Sequence, residues 1–127
     1  EPVTAESLAQ HRNKVFMDGQ DVFKVAVKKL TSASLSAMKE AQLQPEQVNW
    51  VVPHQANLRI INQVVSRLGV PYERVIINIE NRGNTSSASI PIALDEAVRD
   101  GRIQPGHVVL MSALGAGISW ASALARM

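Results

Sequence analysis

Two polar loops of the sequence carry the side chains that are best suited to chemistry. His54 follows an apolar run at 48–52 and a proline, and Asn84 lies in a glycine-containing loop after a second apolar run at 75–79. Each loop is followed by apolar residues at helical spacing, so each links a predicted strand to a predicted helix. In an α/β sheet, functional sites commonly lie at the edge where the strands have their carboxyl ends. We therefore expect His54 and Asn84 to lie close together at that edge.

The chemistry that this pair favours is the stabilisation of negative charge. A neutral histidine donates one N–H group and an asparagine amide donates two. Two such donors directed at one oxygen form an oxyanion hole, which stabilises an enolate as its charge develops. Taken singly, each residue also has a plainer interpretation. A lone histidine at a strand end is often a satisfied core group, and an asparagine beside glycine often makes a turn.

The composition fits one domain and excludes several classes of protein. The chain has 127 residues, of which 46% are hydrophobic and only 4% aromatic, so aliphatic side chains must form the core. Its 13 basic and 11 acidic residues give a net charge of +2, without a basic block of the kind that binds nucleic acid. No apolar run reaches the ~18 residues of a membrane span, and no signal-peptide pattern opens the chain. We therefore expect a cytoplasmic protein that binds neither nucleic acid nor membrane.

Metal and thiol chemistry are not expected of this chain. It contains no cysteine, which excludes disulfides and thiolate metal sites. Its three histidines, at 11, 54 and 107, do not have the spacing of metal ligands. We predict no metal site. The chain begins with Glu1 and not with methionine, which suggests a fragment or a processed product.

Strands and helices alternate along the sequence and must position the two loops. The predicted strands cover 14–17, 48–53, 75–79, 108–114 and 118–125, and the predicted helices cover 20–42, 55–68 and 86–100. Gly69 and Gly101 are natural helix ends. The last two strands form a predicted hairpin around Gly115-Ala116-Gly117, which does not fit a dinucleotide-binding fingerprint because a strand follows it. The order predicts an α/β fold, with a mixed five-stranded sheet and helices on its faces.

Three long motifs resemble a known family of condensing enzymes. PHQANLRI at 53–60, GNTSSASIPIALDEAVRDGRI at 83–103 and GAGISWASALARM at 115–127 closely resemble the C-terminal half of β-ketoacyl-acyl-carrier-protein synthase III, a member of the thiolase superfamily. The resemblance extends from about residue 19 to residue 127. It implies that residues 1–127 form a C-terminal thiolase-like domain, and that the N-terminal half, which carries the family's cysteine, is absent.

The resemblance also implies a reaction. Family members carry out the decarboxylative Claisen condensation of malonyl-acyl carrier protein with an acyl-CoA starter in fatty-acid biosynthesis, and they need no cofactor. His54 and Asn84 match the catalytic histidine and asparagine, which form the oxyanion hole for malonyl decarboxylation. Ala116 matches the middle of a turn that usually has three glycines. A backbone N–H in that turn helps to form a second oxyanion hole.

Further residues match positions that contact substrates or partners in the family. Arg59 matches the arginine of PHQANLR that contacts the acidic acyl carrier protein in the family. Arg67 lies two turns further along the predicted helix and would extend the same docking patch through its charge, although surface arginines are more commonly just solvated. Asn57 would lie near the pantetheine arm. Gln20, where the family often has asparagine, and Phe23 would border the substrate tunnel. The expected partners are the acyl carrier protein, a coenzyme A thioester and the N-terminal half, and the full enzyme is expected to be a homodimer.

The main departure from the family pattern is the missing nucleophile. The acyl group must be carried by a thiolate, and this chain has no cysteine, so alone it should be inactive in condensation. One alternative is a non-catalytic module that binds an acyl carrier or a partner subunit. A second alternative is a ketosynthase of secondary metabolism with a different starter acid.

Overall fold

A three-stranded mixed sheet lies at the centre of the structure, a computed structural model that describes residues 3–12 and 18–127. The strands are β1 (Trp50–Pro53), β2 (Val108–Gly115) and β3 (Ser119–Arg126), in the order β1-β2-β3. β1 pairs with β2 in parallel, with Val51 opposite Leu110, and β2 pairs with β3 in antiparallel orientation. The predicted hairpin of the last two strands is therefore confirmed.

Helices precede and follow the strands. The described α-helices are α1 (Ala5–Ala9), α2 (Gly19–Glu40), α3 (Leu58–Leu68), α4 (Ile79–Arg82) and α5 (Ser89–Arg99). Short 3₁₀ turns occupy Pro45–Gln47, Tyr72–Arg74 and Ser86–Ala88. The carboxylate of Asp18 caps α2 by accepting the N–H groups of Gln20 and Asp21. Gly69 ends α3 in the left-handed conformation, with φ of 71°, as its position predicted.

Different helices pack against the two faces of the sheet. Val51 and Leu110 point to one side, where they pack with buried residues of α2 and α3. Their neighbours Val52 and Val109 point to the other side and pack with Ala93 and Ala97 of α5. This alternation follows from the two-residue period of a strand. Each fully buried aliphatic side chain stabilises the fold by about 1.5–3 kcal/mol.

The prediction of a five-stranded sheet is wrong in the described residues, which contain three strands. The predicted strand at 14–17 lies outside those residues. The predicted strand at 75–79 is not formed, since only Val75 pairs with β1, through an isolated bridge to Val51, and α4 begins at Ile79. The physical reason is a side chain. The side-chain amide of Gln55 forms hydrogen bonds with the Ile76 carbonyl and with the N–H groups of Asn78 and Ile79, so these groups do not pair with a neighbouring strand.

Two helix boundaries also differ from the prediction. α3 begins at Leu58 and not at residue 55, because Asn57 adopts an extended backbone and caps the helix. The segment predicted as a helix from residue 86 starts with a 3₁₀ turn, and α5 begins at Ser89. Pro91 therefore lies in the first turn of α5, where a backbone N–H has no partner within the helix and proline is tolerated.

Candidate active site

Three parallel segments place the candidate residues at one end of the sheet. Val75 bridges to β1 in parallel, and β1 pairs with β2 in parallel, so all three segments run in the same direction. The N–H of His54 donates to the Ser112 carbonyl at 2.8 Å, which continues the β1–β2 pairing one residue beyond β1. The β2–β3 turn with Ala116 follows β2 at this same end. The predicted common edge is confirmed for these segments.

The Gln55 side chain joins the His54 loop to the segment that leads to Asn84. Its Nε2 donates to the carbonyls of Pro53 (2.9 Å) and Ile76 (3.1 Å). Its Oε1 accepts the N–H groups of Asn78 (3.1 Å) and Ile79 (3.2 Å). Gln55 is fully buried, and these four bonds satisfy its amide completely. One side chain therefore holds the His54 loop against the segment that precedes the Asn84 loop.

His54 is a half-buried side chain with a polar partner. Its Nδ1 lies 2.5 Å from the hydroxyl of Ser89, the first residue of α5. Burial lowers the pKa of His54 below its ordinary value of 6.5. The imidazole is therefore neutral at pH 7. A neutral imidazole has one ring N–H to donate, and the oxyanion role of His54 stays a prediction.

Asn84 is exposed and is held by its own loop. Its Oδ1 accepts the N–H of Ser86 at 3.0 Å, so the amide nitrogen remains to donate. Gly83, with φ of 69° and ψ of −165°, adopts a backbone conformation that is essentially restricted to glycine. Ser86 has a φ of 53°, which is uncommon for a residue with a side chain. Such conformations concentrate at functional sites.

The contact between His54 and Ser89 joins the His54 loop to the segment that follows Asn84. Ser89 follows Asn84 by five residues and begins the helix into which the Asn84 loop leads. The His54 loop is thus bonded to segments on both sides of Asn84, through Gln55 before it and Ser89 after it. That the side chains of His54 and Asn84 converge on a single oxygen stays a prediction.

Ala116 lies in the exposed turn of the β2–β3 hairpin. Its carbonyl accepts the Ser119 hydroxyl at 3.3 Å, and the next residue, Gly117, has a φ of 72°. A Cβ on Gly115 would approach the Ser119 oxygen to 3.0 Å, so that position also favours glycine. The turn thus tolerates a side chain at its middle position, where the family usually has glycine. The oxyanion role of the Ala116 N–H stays a prediction.

The predicted tunnel and carrier-binding residues meet at the starts of α2 and α3. The guanidinium of Arg59 lies 5.6 Å from the ring centroid of Phe23, within the range of a cation–π contact. Gln20 is exposed in the first turn of α2. Asn57 caps α3, and its Oδ1 accepts the N–H of Arg59 at 2.8 Å. The cap gives Asn57 a structural purpose that the sequence interpretation missed, although an asparagine before a helical pattern is the usual signal.

Arg67 lies further along α3 and borders an open groove beside α2. The groove has a volume of about 350 Å³. Three of its lining residues are basic (Lys28, Lys39 and Arg67), and the other four, which include Thr31 and Leu35, are uncharged. Arg59 is exposed on the same helix as Arg67, and the groove and Arg59 together are called the basic surface over α2 and α3.

A second polar network fixes α5 further along its length. Glu96 accepts a hydrogen bond from the Asn78 amide at 2.8 Å and pairs with the Arg82 guanidinium at 2.6 Å. These hydrogen bonds, first that of Asn78 and then that of Arg82, lower the pKa of Glu96 below its ordinary value. Sequence reasoning missed Gln55, Ser89 and this network. The only signal was their position within the motifs, because polar residues of these types are usually exposed.

Residues 3–12 and 18–127 contain neither a metal-binding cluster nor a membrane-spanning helix. No group of three or more potential ligands in these residues could hold a metal ion. Within the same ranges, no helix has both the length and the apolar character needed to cross a membrane.

Comparison with known proteins identifies the family. The family described as 3-oxoacyl-[acyl-carrier-protein (ACP)] synthase III C terminal matches residues 38–127. A β-ketoacyl-[acyl-carrier-protein] synthase III from Granulibacter bethesdensis is 50% identical over 123 residues, which cover 97% of this chain and 38% of the relative. The chain thus spans about two fifths of the length of the curated relatives that it matches.

Solved structures give the same result. The synthase III of Thermus thermophilus aligns with a TM-score of 0.87 and 50% identity, over 91% of this chain and 36% of that chain. A priming β-ketosynthase from the R1128 polyketide biosynthetic pathway aligns with a TM-score of 0.83 and 40% identity, over 95% of this chain and 39% of its own. The chain has the thiolase-like fold predicted from its motifs, and it belongs to the C-terminal family of the 3-oxoacyl-[acyl-carrier-protein] synthases III.

Proposed function

We propose that this chain is the malonyl-decarboxylating and carrier-docking part of a 3-oxoacyl-acyl-carrier-protein synthase III. One observation carries the proposal. Both candidate side chains are held by a fixed polar neighbour, His54 through the contact of Nδ1 with the Ser89 hydroxyl and Asn84 through Oδ1, which accepts the N–H of Ser86. Nε2 of His54 and the amide nitrogen of Asn84 therefore remain for a substrate oxygen.

The proposed step uses these donors on a malonyl thioester. The bond between the malonyl carboxylate and its α-carbon breaks, carbon dioxide leaves, and the electron pair is delocalised onto the thioester oxygen. His54 and Asn84 stabilise that oxygen. The carbanion then attacks an acyl thioester, forms the new C–C bond and releases the thiolate, while the Ala116 N–H stabilises the acyl oxygen. The electrons come from the broken C–C bond, so the step needs no cofactor.

The thiolate that carries the acyl group must lie outside this chain, which has no cysteine. We therefore propose that the chain alone does not condense substrates and that it acts with the N-terminal half of the enzyme. The complete enzyme would be a cytoplasmic homodimer that uses an acyl-CoA starter. These statements on assembly and location rest on the family resemblance alone.

The basic surface over α2 and α3 is the proposed docking site for the acyl carrier protein. Arg59 and Arg67 on α3, together with Lys28 and Lys39 on α2, offer positive charge to an acidic partner. The cation–π contact with Phe23 holds Arg59 at the starts of both helices. We propose that the pantetheine arm and the acyl chain pass Asn57, Gln20 and Phe23, which lie at or next to the starts of the same two helices.

Decarboxylation in the full-length protein tests the catalytic part of the proposal. His54→Ala and Asn84→Ala should each slow carbon dioxide release from a malonyl thioester by roughly 10²–10³-fold, because each removes one donor from the oxyanion. The matched controls are His11→Asn and Asn62→Ala, which change exposed residues of the same types. Unchanged decarboxylation in both site variants would refute the catalytic assignment.

Charge reversal tests the docking surface. Arg59→Glu should weaken binding of the acyl carrier protein, with a difference that shrinks as salt is added. Arg99→Glu is the control, because Arg99 is exposed on α5 at the opposite face of the sheet. If carrier binding depends on Arg59 but the decarboxylation rate is unchanged in the His54 and Asn84 variants, the non-catalytic binding module is favoured.

The likeness to the priming β-ketosynthase favours a second candidate within the same chemistry, a ketosynthase of secondary metabolism. The two candidates differ in the starter acid and not in the use of His54 and Asn84. Competition between acetyl-CoA and longer acyl-CoA starters, measured on the full-length protein, distinguishes them. A strong preference for a starter other than acetyl-CoA would favour the second candidate.

A further inference from the structure

We infer that Ser89 is a positioning residue that holds His54 in the tautomer with its proton on Nε2. The contact that suggests this role is the short distance of 2.5 Å between the Ser89 hydroxyl oxygen and Nδ1 of His54. At this distance one of the two atoms donates and the other accepts. The direction of the bond decides which ring nitrogen of His54 remains to act on a substrate.

The surroundings of Ser89 determine that direction. Ser89 is only 2% exposed, so its hydroxyl proton has no access to bulk water. The hydroxyl oxygen already accepts the backbone N–H of Gln55 at 3.3 Å. Among the described residues, Nδ1 of His54 is the acceptor within reach of the Ser89 hydroxyl. If Nδ1 carried the proton instead, the buried hydroxyl would have nothing to donate to, which is costly.

The position of the Gln55 N–H is itself fixed. The Gln55 side chain is fully buried and makes four hydrogen bonds to backbone groups, so its main chain cannot turn away from Ser89 without breaking them. The Ser89 oxygen thus receives one N–H from a rigid donor and gives its own proton to His54. The burial of His54 acts in the same sense, because it favours the neutral ring.

This inference rests on the proposed function for its catalytic consequence. A neutral ring with the proton on Nε2 has no lone pair at that atom, so Nε2 donates and cannot act as a general base. Within the described residues Nε2 of His54 forms no hydrogen bond. Ser89 therefore selects the donor role of His54 in stabilising the enolate, over proton abstraction by the same nitrogen.

The test is nitrogen NMR on the intact full-length protein with ¹⁵N-labelled histidine, at a pH above 7.5 where His54 is neutral. The signal is assigned by its loss in His54→Asn. We expect a pyridine-type Nδ1 and a pyrrole-type Nε2 in the wild type. Ser89→Ala should populate both tautomers and lower the decarboxylation rate by roughly three- to tenfold with little change in KM. Ser87→Ala, at an exposed serine of the same segment, should change neither quantity.

The outcomes separate this inference from the proposed function. A protonated Nδ1 in the wild-type protein would overturn the inference, even if His54→Ala still abolished decarboxylation. An unchanged tautomer and rate in Ser89→Ala would overturn the positioning role. If Ser89→Ala does not fold, Ser89→Cys keeps a side chain of similar shape with a weaker donor, and it should show a smaller shift in the same direction.

Discussion

The loops that carry His54 and Asn84 are held in place in opposite ways. The His54 loop is fixed by distant parts of the chain, since Gln55 and Ser89 bond it to segments more than 20 residues away. The Asn84 loop is exposed and takes its shape from close neighbours, namely Gly83 and the N–H of Ser86. One loop therefore depends on the folded core, and the other depends on local backbone conformation.

This difference implies that the two donors should fail for different reasons. Damage to the core contacts should displace His54 and lower the stability of the whole protein. Damage to the Asn84 loop should act mainly on the proposed oxyanion hole. The predictions below test this contrast in order of decreasing effect on stability.

The largest effect is expected for Gln55→Leu. Leucine fills a similar space but leaves four backbone groups, each buried or partly buried, without the partner that the amide supplied, among them the Ile76 carbonyl and the Asn78 N–H. Each unsatisfied group costs about 1–3 kcal/mol, so the free energy of unfolding should fall by roughly 3 kcal/mol or more. Urea denaturation measures the change. Gln63→Leu, at an exposed position on α3, is the control, and equal stabilities for the two variants would contradict the prediction.

A smaller effect on stability is expected for Gly83→Ala. No atom lies within 4 Å of the added methyl group, so the cost comes only from the backbone conformation of residue 83. That cost is about 1–3 kcal/mol if the loop keeps its shape, and less if the loop relaxes. Relaxation would displace Asn84, so the rate of malonyl decarboxylation should fall clearly even where the free energy of unfolding changes little.

The comparison for Gly83→Ala is Gly19→Ala. Gly19 begins α2, has no positive φ and also has free space around it, so alanine should be neutral or slightly stabilising there. Urea denaturation and the decarboxylation assay are applied to both variants. A Gly83→Ala protein with normal stability and normal activity would show that the Asn84 loop does not depend on this backbone conformation.

The smallest effect is a pH dependence of stability. The pKa of His54 is lowered in the folded state, so just below pH 6.5 the unfolded chain binds a proton that the folded chain does not. Stability should therefore rise with pH until about the unfolded pKa of 6.5 and then level off. Urea denaturation between pH 5 and 8 should show a shallower rise for His54→Asn. Parallel curves for the two proteins would contradict the prediction, because the remaining histidines are common to both.

The sequence predicted the parts of the fold that follow from local pattern. The helical spacing identified α2, α3 and α5, and the glycine-containing turn identified the β2–β3 hairpin. The common edge for the His54 loop and the segment that leads to Asn84 followed from the order of the apolar runs. These features depend on residues close in sequence or on general rules of sheet topology.

The parts that could not be predicted depend on contacts between distant residues. The apolar run at 75–79 has the composition of a strand, but the Gln55 side chain replaces its pairing after Ile76. Nothing in the sequence near residue 76 indicates that partner. In the same way, Ser89 is one of several serines in its segment, and only the fold shows that it is buried against His54.

The two attachments of α5 have a consequence for how this domain can change over time. Ser89 and Glu96 are seven residues apart, close to two full turns, so they project from nearly the same side of the helix. One inserted or deleted residue between them would rotate Glu96 by about 100° relative to Ser89. Substitutions can accumulate on the outer side of this helix. Insertions and deletions between Ser89 and Glu96 cannot, because they would break either the contact with the His54 loop or the contact with the Asn78–Arg82 segment.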